Sequence, residues 1–268
     1  MKLTSQMIKD KAKELGIDCI AIGNIERFKD APTLMSPITY FPDAKSVIAV
    51  AMRIPRGTYR GIEEGTHWHN YTFYSYNKLN SFFRPRLSYE LACFIEDHGW
   101  EAVTHYPAVP EGNGTMKEPV AEGKVPPDVI CSVRVIAAGC GLGEIGFSKV
   151  FLTKEFGPRV RLVSVITDAE ITPDPMLKEE VCIRCKMCMK SCPMQAFIPR
   201  EGQIVADMDK HKCAEYHAQL KGEFRYPCGV CTAVCPVGAD KKIYGRQSVS
   251  PEGAEHCRNF GSKNAVKD

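Results

Sequence analysis

The chain has 268 residues, 44% hydrophobic and 25% charged, with a formal net charge of +3 at pH 7. A chain of that length buries a core without covalent staples. A near-neutral balance without a Lys/Arg block gives no basis for nucleic-acid binding, and no run of about 18 apolar residues offers a membrane span.

In chain order, Leu3, Met7, Ile8, Ala12 and Leu15 recur at helical spacing, with Thr4 or Ser5 as cap and Gly16 as stop. The runs 18–23 (DCIAIG) and 46–52 (SVIAVAM) read as short buried strands, and 56–72 as a loop. Leu79, Phe82, Phe83, Leu87, Leu91, Phe94 and Ile95 mark a long amphipathic helix that Pro85 should kink or split. A strand is expected over 100–104 and a Gly/Pro-rich loop over 107–127. A helix that Asp128 can cap then runs to about Ala138, followed by strands at 150–152 and 160–167. Residues 168–180, with Pro173 and Pro175, read as a linker. The expected organisation is an α+β domain over 1–172, a cysteine-rich module over 173–245 and a tail over 246–268.

Thirteen cysteines need an explanation. The N-terminus is charged from the start and has neither an apolar signal core nor a twin arginine, so the chain is expected in the cytoplasm. Thiols stay reduced there, and clustered cysteines bind metal. Cys182, Cys185, Cys188 and Cys192, followed by Pro193, form C-x2-C-x2-C-x3-C-P, the bacterial ferredoxin run. Three cysteines at spacing three wrap one cluster, and the fourth points at another. Cys228, Cys231 and Cys235, followed by Pro236, repeat the motif without its first cysteine, and Cys213 can replace it.

By the crossed rule one [4Fe–4S] cluster takes Cys182, Cys185, Cys188 and Cys235, and the other takes Cys192, Cys213, Cys228 and Cys231. Structural zinc also uses C-x2-C pairs, but it does not call for three cysteines at spacing three and a fourth before proline. Cys19, Cys93, Cys131, Cys140 and Cys257 remain; Cys19 and Cys93 sit in apolar patterns and read as small buried side chains.

Gly141-Leu142-Gly143-Glu144-Ile145-Gly146 matches G-x-G-x-x-G literally. A dinucleotide site needs a strand before it and a helix after it. The order here is the reverse, so the glycines Gly141, Gly143 and Gly146 are read as a close approach of another backbone element or of a flat cofactor.

The segment 139–171, GCGLGEIGFSKVFLTKEFGPRVRLVSVITDAEI, followed by this cysteine pattern, resembles the core of corrinoid-dependent reductive dehalogenases and epoxyqueuosine reductase. The resemblance is specific from Gly139 to Pro236 and looser back to about residue 70. It implies a nitroreductase-like α/β domain that holds cobalamin, fed with electrons by a double-cluster ferredoxin-like module.

It also implies a proton donor near the cobalt. By position Tyr106, with His105 beside it, matches the dehalogenase tyrosine, and Arg159 or Arg161 its basic partner. Asp128 is the nearest match, one position out of register, to the aspartate of epoxyqueuosine reductase. The structural alternatives are a helix cap for Asp128, a strand-end aromatic for Tyr106 and a solvated strand face for the two arginines. The aromatic group Trp68, Tyr71, Phe73, Tyr74 and Tyr76 is read as packing, with a pocket wall as the alternative.

The expected function is reductive cleavage of a small-molecule substrate, with ferredoxin or flavodoxin as external electron donor and without membrane or nucleic acid. The twin-arginine leader of the dehalogenases and the C-terminal helical repeat of epoxyqueuosine reductases are not seen, so neither substrate is carried over. The alternatives are a ferredoxin-type carrier with a docking domain and no corrinoid, and epoxyqueuosine reduction on tRNA.

Overall fold

A computed structural model describes residues 3–64, 66–105, 119–125, 129–223 and 225–239. Among them lie eight strands: β1 (Cys19–Asn24), β2 (Ser46–Arg53), β3 (Ala102–His105), β4 (Glu144–Ile145), β5 (Phe151–Leu152), β6 (Val160–Thr167), β7 (Phe197–Ile198) and β8 (Asp207–Met208). The chain falls into two compact units that interleave in sequence. One takes 1–52, 84–142 and 162–178; the other takes 53–83, 143–161 and the chain from 179 on. The cysteine-rich stretch therefore shares its unit with two upstream segments, and the last change of unit comes at 178–179, a few residues past the boundary expected at 172.

The first unit is built on a four-stranded sheet of order β1-β2-β6-β3, with β1 antiparallel to β2 and β3 antiparallel to β6. The uninterrupted apolar run of β2 has a simple cause: seven of its eight residues are buried, so both faces are covered. The helix Ser5–Glu14 starts where Thr4 Oγ1 accepts the Met7 N–H at 3.3 Å, filling one orphan donor of the first turn. It turns Ile8 and Ala12 inward. Ile8 joins Ile22, Ile48, Val50, Leu91, Ile95, Val163 and Val165 in one core. Each such side chain contributes about 1.5–3 kcal/mol by leaving water.

The proline-bearing segment 168–180 is stitched down, contrary to the expectation of a linker. The Asp174 N–H donates to Ile22 O at 2.8 Å, its carboxylate accepts the Ile22 N–H at 2.9 Å and pairs with Lys9, and its carbonyl accepts from Arg27. The spare cysteines also differ from expectation. Cys19 and Cys93 are half-buried, whereas Cys131 and Cys140 are fully buried. Cys140 Sγ donates to Val47 O at 3.3 Å, and burial pushes that thiol up to about 12.

In the second unit the stretch read as a loop carries short turns of helix at Arg56–Tyr59 and Arg60–Glu63. Widened, π-helical turns follow over Thr72–Asn77 and Leu79–Phe83, where the Lys78 N–H reaches back five residues to Phe73 O. Regular α-helix runs over Arg84–Glu96. Proline has no N–H and its ring excludes the carbonyl four residues back, so the ladder widens ahead of Pro85 instead of running straight through.

Candidate metal centres

Two cysteine loops of the same shape organise the second unit. In the first, Val181 N–H (3.0 Å) and Cys182 N–H both donate to Glu144 Oε1, which pins the start of the loop to β4. Arg184 and Lys186 then adopt left-handed backbone, with φ of 54° and 58°, and the helix Met187–Lys190 opens at Lys186. In the second, Gly229 takes the same place with φ 68° and opens the helix Val230–Ala233.

Thus Cys185-Lys186-Met187-Cys188 and Cys228-Gly229-Val230-Cys231 share one fold. The glycine is required in the second loop: a Cβ on residue 229 would lie 2.5 Å from the Tyr71 ring. Arg225 stands three positions before Cys228, where a full motif has its first cysteine, and lays its guanidinium 5.6 Å from the Trp68 ring centre. Cys213 comes instead from the helix Lys210–Gly222, capped by Asp209, whose carboxylate accepts the His211 and Lys212 N–H groups at 3.1 Å.

The structure gathers the eight predicted cysteines around two cavities. A small one of about 20 Å³ is lined by Cys182, Cys185, Cys188 and Cys235, with Phe147, Ile183 and Pro236. A larger one of about 220 Å³ is lined by Cys192, Cys213, Cys228 and Cys231, with Tyr71, Tyr76, Arg161, His217 and Tyr226. Each cavity takes three sulfurs from one part of the module and a fourth from the other.

Among the described residues no group of three or more His, Cys, Asp or Glu side chains converges as the ligands of one metal ion would. The sulfurs ring a space instead. Burial pushes the Cys188 thiol up to about 12 and the Cys231 thiol to about 11. Thiols raised by burial lose their protons when a cationic centre takes the place of the protons. Backbone donors already face the sulfurs: Phe147 N–H to Cys182 Sγ at 3.5 Å and Ala196 N–H to Cys192 Sγ at 3.4 Å. The buried Ser191 hydroxyl, beside Cys192, has no partner among the described residues. This donor set fits an iron–sulfur cluster.

The proposed catalytic residues fare differently. Tyr106 and Asp128 lie outside the described residues. Arg159 and Arg161 do not form a solvated face. Arg159 is 1% exposed; its Nη2 donates to Val237 O at 3.0 Å and its carbonyl accepts from Ile54 N–H, so it fixes the chain just past Cys235-Pro236. Arg161 is half-buried, donates from Nε to Ser75 O at 2.7 Å and holds its guanidinium 5.6 Å from the Tyr76 ring centre.

Of the two readings of the glycines, protein occupies the space in each case. A Cβ on residue 141 (φ 83°) would meet Pro175 O at 2.3 Å, on 143 Leu152 O at 2.0 Å, and on 146 Leu152 Cδ1 at 2.5 Å. The reading of a close approach by another backbone element therefore holds at Gly141 and Gly143, and at Gly146 a side chain approaches. The wall of the larger cavity holds residues that sequence reasoning did not single out. Tyr226 donates its hydroxyl to Tyr76 at 3.2 Å, and His217 packs edge-on against Tyr226. Tyr71 and Tyr76 belong to the aromatic group read as packing, whereas nothing in the sequence marked Tyr226 or His217.

Residues 181–239 match the 4Fe-4S dicluster domain family. A tetrachloroethene reductive dehalogenase of Dehalobacter restrictus is 30% identical over 168 residues, 56% of this chain and 26% of the dehalogenase. An epoxyqueuosine reductase of Bacillus cereus is 27% identical over 238 residues, 81% of this chain and 54% of the reductase. The chain is a relative of both enzyme groups. Solved structures of each share its fold. A reductive dehalogenase described for B12-dependent dehalogenation superposes with a TM-score of 0.61 at 18% identity, covering 97% of this chain and 36% of its own. The epoxyqueuosine reductase of Streptococcus thermophilus gives 0.56 at 17%, covering 96% and 79%.

This relative of the two groups is therefore an iron–sulfur protein of mixed α and β structure with a ferredoxin-like dicluster module. It spans about a quarter of the dehalogenase's length and about half of the epoxyqueuosine reductase's. No helix among the described residues is long and apolar enough to cross a membrane.

Proposed function

We propose that this chain is a cytoplasmic, corrinoid-dependent reductase that cleaves a carbon–halogen or carbon–oxygen bond in a small substrate, drawing electrons from a ferredoxin or flavodoxin through two [4Fe–4S] clusters. The observation that carries the proposal is the division of eight cysteines between two cavities in one unit. Cys182, Cys185, Cys188 and Cys235 hold one cluster; Cys192, Cys213, Cys228 and Cys231 hold the other. The N–H donors of Phe147 and Ala196 face cluster sulfur, where they stabilise the added charge of the reduced form. Glu144 fixes the first loop by its entry, and Arg159 fixes the exit of the second.

The corrinoid is supported by the kinship with B12-dependent dehalogenation. A bound corrinoid supplies the low-valent cobalt that makes reductive cleavage possible. Tyr106 and Asp128 remain the proposed proton donors at that site.

Anaerobic reconstitution of the full chain with iron, sulfide and cobalamin, followed by gel filtration, tests the reading. Co-elution of the corrinoid spectrum with cluster absorbance is the expected result. Intact clusters without retained corrinoid would instead make the chain an electron carrier.

A further inference from the structure

The two cysteine cavities differ in access. Cys185 in the wall of the smaller one is exposed, and so is the neighbouring Lys186. All four cysteines of the larger one are half-buried, and its wall includes Arg161. That guanidinium is held at two points, by Ser75 O at 2.7 Å and by the Tyr76 ring at 5.6 Å. No carboxylate among the described residues pairs with it. A guanidinium keeps its charge at any working pH. A lysine ammonium in water is largely screened beyond about 10 Å, whereas an anchored, half-buried cation is screened far less.

We infer that Arg161 is the fixed counter-charge of the cluster on Cys192, Cys213, Cys228 and Cys231, and that it raises this cluster's reduction potential. The inference rests on the proposed ligation. A cluster bound by four thiolates is anionic, and reduction adds one electron and one more negative charge. A nearby fixed cation stabilises the reduced form more than the oxidised form, so the potential rises. Arg161 is a tuning residue in this account, since it does not itself receive the electron.

The test is a redox titration of the anaerobically reconstituted full chain, followed by electron paramagnetic resonance and poised with dithionite and mediators. The two signals are assigned with Cys213→Ala, which should leave only the smaller-cavity cluster. Arg161→Gln should shift that cluster to more negative potential without moving the other, and Arg161→Lys should restore most of the shift.

An unmoved potential in Arg161→Gln, an equal shift of both clusters, or a lysine variant that behaves like the glutamine one would each overturn the inference. If Arg161→Gln fails to assemble the cluster while Arg161→Lys assembles it at the wild-type potential, the counter-charge role stands. If neither assembles it, the role is one of shape and the inference is wrong. A wild-type chain that holds no iron would overturn the proposed function itself, which keeps the two failures apart.

Discussion

His105 ends β3 with its ring buried against Tyr40, edge to face at 5.2 Å. Its Nε2 accepts the Cys131 N–H at 3.3 Å, which leaves the ring proton on Nδ1, facing Ser164 Oγ at 3.5 Å. A second proton would destroy the first of these bonds, and burial holds the imidazole below its ordinary 6.5. The unfolded chain therefore takes up a proton at higher pH than the folded one. Stability falls as the pH drops below about 6.5 and goes on falling until the folded value is reached, by up to about 1.4 kcal/mol per pH unit. Urea midpoints at pH 7.5 and 5.5 should show this acid loss in wild type and a smaller one in His105→Gln. Equal losses in both would place the acid sensitivity elsewhere.

Arg56 and Glu63 make a second demand at the residue scale. They pair at 2.6 Å with only 5% of either side chain exposed. Burial raises the Glu63 carboxyl, and Arg56 pulls it back down. Arg56→Met takes away the cation that pairs directly with a buried carboxylate and should cost about 3–5 kcal/mol, whereas Arg56→Met with Glu63→Leu should recover most of it. Denaturant titration of the single and double variants measures both.

Among the elements, the paired cysteine loops carry the sharpest contrast. Both need left-handed backbone after their first cysteine, at Lys186 and at Gly229. A non-glycine residue there costs roughly 1–2 kcal/mol, so Lys186→Gly should hold or slightly raise thermal stability. Gly229→Ala meets the Tyr71 ring as well as the backbone penalty, and should lose the larger-cavity cluster, read as iron content after reconstitution. Matching behaviour of the two variants would deny that Tyr71 closes on the second loop.

The sequence showed these loops because cysteine spacing is a local constraint. It also showed β1, β2 and β6; β2 and β6 are buried along most of their length and β1 along half of it. It marked Gly141, Gly143 and Gly146 as places of close approach, but not what approaches them. The atoms that exclude a side chain there belong to Pro175 and Leu152, and such approaches exist only after folding. Arg159 and Arg161 misled for a related reason. Alternation along a strand fixes which residues share a face, but not whether that face is wet. The segment 168–180 looked like a linker by composition, yet Asp174 ties it to β1 through backbone and carboxylate alike.

At the scale of the molecule, the interleaving of the two units is the least legible feature. The unit with the cysteine module also holds 53–83 and 143–161, far upstream in sequence. The larger cavity is the product of that arrangement. Tyr71 and Tyr76 come from the first of those segments and Arg161 from the second, while four cysteines come from the module. A ferredoxin-like module alone would have the sulfurs without this wall. Cutting the chain at residue 172 should therefore yield a module that binds iron poorly at the larger cavity, checked by iron and sulfide analysis of the isolated fragment.

Iron and acid-labile sulfide in the anaerobically reconstituted full chain and in Cys213→Ala bear most directly on the central claim. The account predicts matched iron and sulfide in wild type and loss of half of both in the variant, with the smaller-cavity cluster intact. Zinc without sulfide in wild type, or undiminished iron in Cys213→Ala, would contradict it.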